Sequence, residues 1–265
     1  MKQLSLFLLI LLSFFFIGCN DGDADAGEST NIPTTPAISY SIVASHPHDT
    51  SYFTEGLEFH NNTLLESTGL NGRSRLVRTE LQSGKVLQEV KLDNKYFGEG
   101  ITVLNDTLYQ LTYRENEVLV YSANDFKKIG VLPLKGEGWG LTNDGKVLIS
   151  SNGSSDLFFY EPGSFKLLKT LTVRENGSFV PNINELEFVN GFVYANQWQS
   201  NNIFKIDLAT GNVVGKMNLT DIVTKEKAIN PDAQELNGIA YDPATKKLHI
   251  TGKNWSRIYE MQLAL

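Results

Sequence analysis

Five short phrases place residues with chemical potential at near-equal steps along this chain. They begin at Glu55, Glu99, Trp139, Asn184 and Asn237, with steps of 44, 40, 45 and 53 residues. A carboxylate can take up and deliver a proton, an amide can hydrogen-bond, and an aromatic ring can form the wall of a small pocket. Repeats of this size are typical of radial folds, so we expect the five side chains to meet at one place.

Each phrase opens a pattern of two short hairpins, which makes four strands a repeat. In the first repeat, Ser74–Arg78 pairs with Lys85–Lys91 across a Gly-containing turn. The fifth repeat is short: Arg257–Met261 supplies its third strand, and the unpartnered segment Ile38–Val43 is available as its fourth. The sequence therefore predicts an all-β five-bladed β-propeller closed by the N-terminal strand. A β-sandwich is the rival fold, but five equal units fit it poorly. No long apolar segment of helical period follows residue 37.

In a propeller the first strand of each blade lines the central channel, and the second strand returns to the mouth where the first began. Tyr113, Asn152, Trp198 and Lys253–Trp255 follow second strands, so we expect them to face the same space as the leading residues of the phrases. All three tryptophans then fall near one mouth, together with Phe53 and Phe97. The set predicts a small-ligand pocket. The alternative is that Trp139 and Trp198 fill the channel as packing residues.

Glu99 differs from an ordinary solvent-exposed carboxylate because glycines and Phe97 flank it in the sequence. Such a group can have a raised pKa and act as both acid and base. The repeated glycines, such as Gly56 and Gly100, are predicted to serve tight turns and close packing between blades. Of the four histidines, His46 and His48 could form half a metal site, but no third ligand is suggested. We therefore predict no metal site and give these histidines a turn or strand-end role.

The first 19 residues have the character of a lipoprotein-type signal peptide. An apolar core at Leu4–Ile17 precedes Gly18 and Cys19, and lipidation at Cys19 is expected. An ordinary secretory signal with an incidental cysteine is the alternative. Residues 20–37 read as a flexible linker and 38–265 as the catalytic domain. The expected location is the bacterial cell envelope, with the chain anchored in a membrane by its lipid. Cys19 is the sole cysteine, and the net charge of −7 argues against a nucleic-acid partner.

Seven phrases resemble the plant and bacterial glutaminyl-peptide cyclotransferases, and the resemblance spans about residues 40–262. The matching phrases are His48–Leu57, Ser67–Leu70, Phe97–Ile101, Glu137–Gly140, Ile183–Glu187, Asn196–Trp198 and Leu236–Asp242. The resemblance implies a five-bladed propeller that converts the N-terminal glutamine of peptides to pyroglutamate and releases ammonia. It implies no metal and no cofactor, and we expect a monomer.

The resemblance also implies roles for particular residues. Glu99 falls on the family's catalytic glutamate, and Asn184 and Lys253 fall on its substrate-positioning residues. The remaining substrate-binding candidates are Phe53, Glu55, Phe97, Gln110, Tyr113, Trp139 and Trp198. Two residues depart from the family, which often has Gln at Glu55 and, in plants, Trp at Tyr113. A non-catalytic surface propeller that binds peptide N-termini is the alternative function, and a metal-dependent lactonase-type propeller is a weaker one.

Overall fold

The computed structural model describes residues 34–264. The predicted signal segment 1–19, with Cys19, and residues 20–33 of the predicted linker lie outside the described residues. At the start of the described part, the Ile38 amide donates to the Lys216 carbonyl at 2.9 Å and the Lys216 amide donates to the Pro36 carbonyl at 2.9 Å. Residues 36–38 therefore run along an outer strand rather than away from the domain.

Five four-stranded antiparallel sheets form a ring, so the predicted all-β five-bladed propeller is confirmed. From the channel outward, blade 1 consists of β2 (Thr54–His60), β3 (Thr63–Thr68), β4 (Arg75–Thr79) and β5 (Val86–Lys91). Blade 2 consists of β6 (Gly98–Leu104), β7 (Thr107–Thr112), β8 (Glu117–Ser122) and β9 (Lys128–Pro133). Blade 3 consists of β10 (Leu141–Asn143), β11 (Leu148–Ser150), β12 (Asp156–Tyr160) and β13 (Leu167–Thr172).

A small hairpin, β14 (Arg174–Glu175) and β15 (Ser178–Phe179), links blades 3 and 4. Blade 4 consists of β16 (Ile183–Val189), β17 (Phe192–Gln197), β18 (Asn202–Asp207) and β19 (Val213–Asn218). Blade 5 consists of β20 (Leu236–Asp242), β21 (Lys247–Gly252), β22 (Arg257–Leu263) and, outermost, β1 (Tyr40–Pro47).

The N-terminal strand closes the ring as predicted. β1 pairs antiparallel with β22, with Tyr40 opposite Leu263 and Pro47 opposite Arg257. The strand runs further than the predicted Ile38–Val43, because Ala44 to Pro47 continue the pairing after a register shift next to Val43. This pairing covers the edge that β22 would otherwise expose.

Glycines let the inner strands approach one another at the channel mouth. A β-carbon on Gly100 would lie 2.4 Å from the Leu141 backbone nitrogen, and one on Gly140 would lie 2.1 Å from the Asn184 carbonyl oxygen. No side chain fits in such gaps, so close inter-blade packing is confirmed at these positions. Blade 4 has Glu185 at the corresponding position. Its buried carboxylate accepts hydrogen bonds from the Leu57 amide at 3.2 Å and the Ile239 amide at 2.8 Å.

One helix, α1 (Thr220–Ile229), interrupts the strand pattern between blades 4 and 5. It accounts for much of the longer, 53-residue step between the last two phrases. Helical periodicity was not visible in the sequence because its buried face includes a carboxylate, Glu226, beside Ile222 and Val223. Glu226 accepts hydrogen bonds from the hydroxyls of Ser256 and Tyr259 in blade 5. Within residues 34–264 no helix has the length and apolar character needed to cross a membrane.

Apolar side chains fill the interfaces between blades. The interface of blades 4 and 5 buries Met217, Trp255 and Tyr259 against the inner face of α1. The seam of blades 5 and 1 has a smaller apolar cluster of five buried residues, namely Leu57, Leu64, Leu81, Ala240 and Ile258. Polar residues complete this seam, among them the buried His46 and His249.

Candidate active site

A cavity of about 380 Å³ opens at the channel mouth where the five phrases begin. Its lining comprises Phe53, Glu55, Phe97, Glu99, Tyr113, Trp139, Asn184, Trp198, Gln234, Glu235 and Lys253. The structure therefore brings together the predicted site residues from four phrases and the second-strand ends of three blades. Gln110 and Asn237 stand behind this lining, and Asn152 is not part of it.

Aromatic rings form two parts of the pocket wall. Phe97 meets Phe53 edge-on at 6.3 Å between ring centroids and lies 5.6 Å from Tyr113. Trp139 meets Trp198 edge-on at 5.8 Å. These geometries are the favourable ones for ring pairs. Small residues stand directly behind the rings, since a β-carbon on Gly69 would lie 2.4 Å from Phe97 and one on Gly153 would lie 2.6 Å from Trp139. The walls are thus fixed in place, and they line a cavity rather than fill the channel.

Glu55 is a buried carboxylate with two defined partners. Lys253 Nζ donates to Glu55 Oε1 at 2.8 Å, and Asn237 Nδ2 donates to Glu55 Oε2 at 3.1 Å. Glu55 is only 2% exposed. Burial raises the pKa of Glu55 to about 7, although the Lys253 ammonium lowers it. The pair places one anchored cation at the pocket wall, 4.4 Å from the centre of the Phe53 ring.

The backbone around Lys253 explains why its ammonium has a fixed position. The Lys253 amide donates to the Glu235 carbonyl at 2.9 Å, and its carbonyl accepts from the Gln234 amide at 2.8 Å. Next to it, Asn254 has a positive φ of 60° and donates from its amide to the Tyr52 carbonyl at 2.8 Å. Asparagine tolerates this left-handed conformation better than most residues. Loops from blade 1 and blade 5 thus hold the turn from both sides.

Glu99 has a different environment. The residue is 5% exposed, and within residues 34–264 no group donates a hydrogen bond to its carboxylate. Burial raises the pKa of Glu99 well above its usual 4.5, and the charge of Glu55 raises it further, whereas Lys253 lowers it. The more distant carboxylates of Glu115 and Glu137 act in the same direction as Glu55. A carboxyl group with a pKa raised in this way is suited to both take up and release a proton during a reaction.

Asn184 presents a polar group to the pocket that has no partner in the described residues. Its main-chain carbonyl accepts a hydrogen bond from Ser151 Oγ at 2.7 Å, which fixes the backbone next to Gly140. Its side-chain Oδ1 is buried and unpaired. Buried polar atoms are normally hydrogen-bonded, so an amide in this state is suited to receive a polar ligand.

Among the residues that the sequence placed near the mouth, Gln110, Asn152 and Trp255 do not line the cavity. Gln110 is fully buried behind the lining, where its Nε2 donates to Ser67 Oγ at 2.8 Å. Asn152 accepts from the amide and hydroxyl of Ser154 and shapes its own turn. Trp255 was expected at the pocket, and that prediction is wrong. Its ring packs in the core at 6.1 Å from Tyr259, and its Nε1 donates to the Gln234 carbonyl. The chain turns after Lys253, so adjacent side chains point to different places.

The sequence did not identify the charged rim of the pocket. Glu235 and Gln234 lie on the segment between α1 and β20, which carries no repeated phrase. Glu137 accepts a hydrogen bond from Trp139 Nε1 at 3.2 Å and pairs with Arg114 at 2.7 Å. With Glu115, these side chains give the entrance an excess of negative charge. The proximity of Glu137 to Trp139 in sequence was the one signal that could have indicated it.

The fold and pocket define a class of protein: a five-bladed β-propeller with a buried acid beside aromatic walls, a site suited to a small cationic group. Comparison with known proteins assigns the chain more closely. It belongs to the glutamine cyclotransferase family, whose model matches residues 16–263. The resemblance predicted from the seven phrases is therefore confirmed.

Two relatives support this assignment. The glutaminyl-peptide cyclotransferase of Arabidopsis thaliana is 37% identical over 254 residues, which cover 94% of this chain and 78% of that protein. The crystal structure of the Myxococcus xanthus glutaminyl cyclase superposes with a TM-score of 0.80 at 36% identity. That alignment covers 87% of this chain and 98% of the Myxococcus chain, so the similarity extends over the whole propeller.

Proposed function

We propose that this protein is a glutaminyl-peptide cyclotransferase, which converts the N-terminal glutamine of a peptide to pyroglutamate and releases ammonia. The observation that carries the proposal is Glu99, a buried carboxylate without a hydrogen-bond donor in residues 34–264, set beside aromatic walls and the Glu55–Lys253 pair. Membership of the glutamine cyclotransferase family supports the same reaction. Such a site offers a proton acceptor to the peptide's α-ammonium group.

The reaction balances without water or a second substrate. The neutral α-nitrogen attacks the side-chain amide carbon of the same residue, which forms the ring C–N bond. The bond from that carbon to the amide nitrogen breaks, and one proton passes from the attacking nitrogen to the leaving nitrogen. Ammonia departs, and the ring keeps the carbonyl oxygen.

Glu99 moves that proton in the proposed mechanism. An α-ammonium group has a pKa of about 7.7–8.0, far above that of an ordinary carboxylate. The raised pKa of Glu99 narrows this gap, so the carboxylate can take one proton from the ammonium group and deliver it to the leaving nitrogen. The second proton, which the ring nitrogen loses as the lactam forms, is taken up by the released ammonia to give ammonium. General acid–base catalysis of this kind contributes about 10²–10⁴-fold to a rate.

The other lining residues hold the substrate in its reactive shape. Phe53, Phe97, Trp139 and Trp198 enclose a space that suits the compact five-membered ring geometry, which brings the amine and the amide carbon together. The Lys253 ammonium and the N–H groups of the Asn184 side-chain amide are the donors that we expect to stabilise the amide oxygen as negative charge develops on it. Glu55 keeps the Lys253 ammonium in position at 2.8 Å.

The proposed reaction requires no metal ion. The carboxyl group of Glu99 supplies the proton transfer, and the pocket lining offers the amide oxygen a cation in Lys253. This lining contains neither histidine nor cysteine, the ligands that a catalytic transition metal most often uses. We therefore expect turnover to be independent of chelators.

The decisive experiment measures ammonia release from a dipeptide that begins with glutamine, with mass spectrometry of the product. We expect wild-type protein to release one ammonia per peptide, Glu99→Gln to release almost none, and a chelator to leave the wild-type rate unchanged. Tight peptide binding without ammonia release would instead establish the non-catalytic binding protein. Loss of activity with the chelator in protein that remains folded by circular dichroism would reject the metal-free mechanism.

We further propose that lipidation at Cys19 anchors the protein in the bacterial cell envelope, where it meets peptides and proteins with N-terminal glutamine. The apolar segment Leu4–Ile17 and the following Gly18 and Cys19 motivate this proposal. Labelling with a fatty-acid probe in a bacterial host tests it. We expect label and membrane association in wild type and neither in Cys19→Ser; equal labelling of the two would refute the anchor.

A further inference from the structure

A second cluster of chemically active side chains lies in blade 5, outside the pocket. His46 on β1, His249 on β21 and Glu260 on β22 are all buried, and their ligand atoms lie within 4.8 Å of one another. His46 Nε2 is 2.8 Å from Glu260 Oε2, and His249 Nε2 is 4.0 Å from the same oxygen. The three residues come from the three outer strands of the sheet that closes the ring.

This grouping differs from the half-site that the sequence suggested. His48 does not join His46, because its ring bonds to Glu66 of blade 1 at 3.1 Å and to the Trp255 carbonyl at 2.7 Å. The missing ligands for His46 are instead supplied by residues more than 200 positions away in the chain. No sequence spacing could have indicated them.

His249 is the part of the cluster that the protein alone does not explain. The residue is 1% exposed, and its Nδ1 has no hydrogen-bond partner within residues 34–264. Its Nε2 is too far from Glu260 for a hydrogen bond. Phe59 of blade 1 stacks on the ring at 5.3 Å and 13°, which fixes its plane. Because Nε2 forms no hydrogen bond to Glu260, its lone pair can bind an ion placed between the two residues, with Nδ1 carrying the ring proton.

The distances fit a small tetrahedral ion. Zinc–nitrogen and zinc–oxygen bonds of about 2.0–2.1 Å place neighbouring ligands roughly 3.3 Å apart. The two measured separations to Glu260 Oε2, 2.8 Å and 4.0 Å, lie on either side of that value. Shifts of roughly 0.5 and 0.7 Å, respectively, therefore make both separations to Glu260 suitable for zinc.

The surroundings of Glu260 also resemble a metal site. Lys247 Nζ bonds to Glu260 Oε1 and leaves Oε2 directed at the two imidazoles. Carboxylates that bind a metal commonly accept a hydrogen bond from a second side chain on their free oxygen, which orients them. Two imidazoles and one carboxylate are a donor set that suits zinc, with water as the fourth ligand.

We propose that His46, His249 and Glu260 bind one zinc ion that fastens β1, β22 and β21 together at the closing seam. The ion would be structural, because none of its ligands lines the catalytic pocket. The inference goes beyond the proposed reaction, and turnover without metal remains the expectation for the pocket.

The test uses the untagged full chain, stripped with a chelator and dialysed, with zinc chloride as the probe. Calorimetric titration should give one zinc per chain, and the Tm should rise by about 5 °C or more at a hundredfold excess over Kd. His249→Gln and His46→Gln should each weaken binding at least tenfold. The matched control is His60→Gln, a histidine on blade 1 outside the cluster, which should bind zinc like wild type.

A wild-type measurement keeps the test decisive if a variant fails to fold. Cobalt in place of zinc should give the intense visible absorption of a tetrahedral site, and zinc should displace it. Absence of stoichiometric zinc binding, or equal affinity in wild type and both cluster variants, would overturn the proposal. The ammonia assay on the stripped protein is read separately, so failure of the zinc site and failure of the proposed reaction cannot be confused.

Discussion

Glu55 and Glu99 begin equivalent phrases in neighbouring blades, yet the fold gives them opposite surroundings. Glu55 has an ammonium at 2.8 Å and an amide donor at 3.1 Å. Glu99, one blade further round the ring, has no donor within residues 34–264 and has Glu55 as a nearby like charge. The same residue type in the same repeat position therefore has two different electrostatic environments.

The difference lies in what the rest of the ring contributes. Blade 5 reaches Glu55 through Lys253 and Asn237, whereas the neighbours of Glu99 are aromatic rings and glycines. A partner stabilises the charged form of an acid, and burial alone destabilises it. In the proposed mechanism the paired acid positions a cation, and the unpaired acid exchanges the proton. Four experiments test these two roles and the charges around the two acids.

The largest effect is expected for Glu99→Gln, which should lower kcat about 10³-fold by removing the proton carrier. The thermal stability of the variant, in contrast to its kcat, should be higher than that of wild type at alkaline pH. Because the folded-state pKa of Glu99 is raised above 4.5, ionisation of this group costs wild type stability as the pH rises from that value, and the variant lacks this contribution. We expect the variant's Tm to exceed that of wild type at pH 8 and to match it near pH 4.

Glu115→Gln is the control for that experiment, since it removes a rim carboxylate and leaves Glu99 in place. It should keep its rate within a few-fold of wild type. Equal losses in the two variants would mean that negative charge in general, rather than proton transfer at Glu99, supports turnover.

The next effect is expected for Lys253→Met, which leaves Glu55 buried without its cation. The free energy of unfolding should fall by about 3 kcal/mol, as for other broken buried ion pairs. The rate should fall about 10²-fold with the loss of a donor to the developing oxyanion. The double variant Glu55→Gln with Lys253→Met should recover much of the stability in urea unfolding, but not the rate. Full recovery of the rate would exclude a role for Lys253 in the reaction.

A subtler change is expected for Glu55→Gln, measured as the pH dependence of kcat/KM. Removing the Glu55 charge lowers the pKa of Glu99, and the freed charge of Lys253 lowers it too. The acid limb of the profile should therefore move to lower pH, while the rate at its maximum changes less than about tenfold. An unmoved acid limb would show that Glu99 does not set it.

The smallest effect concerns the acidic rim formed by Glu115, Glu137 and Glu235. A dipeptide with lysine after the glutamine should have a kcat/KM about threefold higher than one with alanine, and one with glutamate should be poorer. Raising the salt concentration should reduce these differences because the rim is solvated. Identical values for the three peptides at low salt would show that the rim does not select substrates.

The sequence predicted the architecture well because architecture repeats. Turn residues, alternating strands and the leading phrases recur in each blade, and the unpaired Ile38–Val43 segment indicated how the ring closes. Those signals are local, so each can be read within about ten residues. The pocket lining followed from the same periodicity, since one rule places every leading residue at one mouth.

What could not be predicted depends on contacts between distant or irregular segments. The direction of Trp255 follows from a turn fixed by Asn254 and by the Tyr52 carbonyl, which no repeat indicates. The helix at Thr220–Ile229 buries Glu226, so a charged residue occupies a position where helical periodicity predicts an apolar one. The partners of Glu55 and His46 come from the far end of the chain, and only the folded ring brings them together.

The pairing of β1 with β22 has a consequence for the order of folding. Tyr40 and Leu263 must meet for the ring to close, and Lys253 must reach Glu55 across 198 positions. Contacts so far apart in sequence form slowly, because a long loop has to close first. Blades 1 to 4 can form from local hairpins as the chain emerges, but the pocket exists only once blade 5 has captured β1. An unfinished chain therefore has exposed strand edges and no active site, and catalysis begins only with the completed molecule.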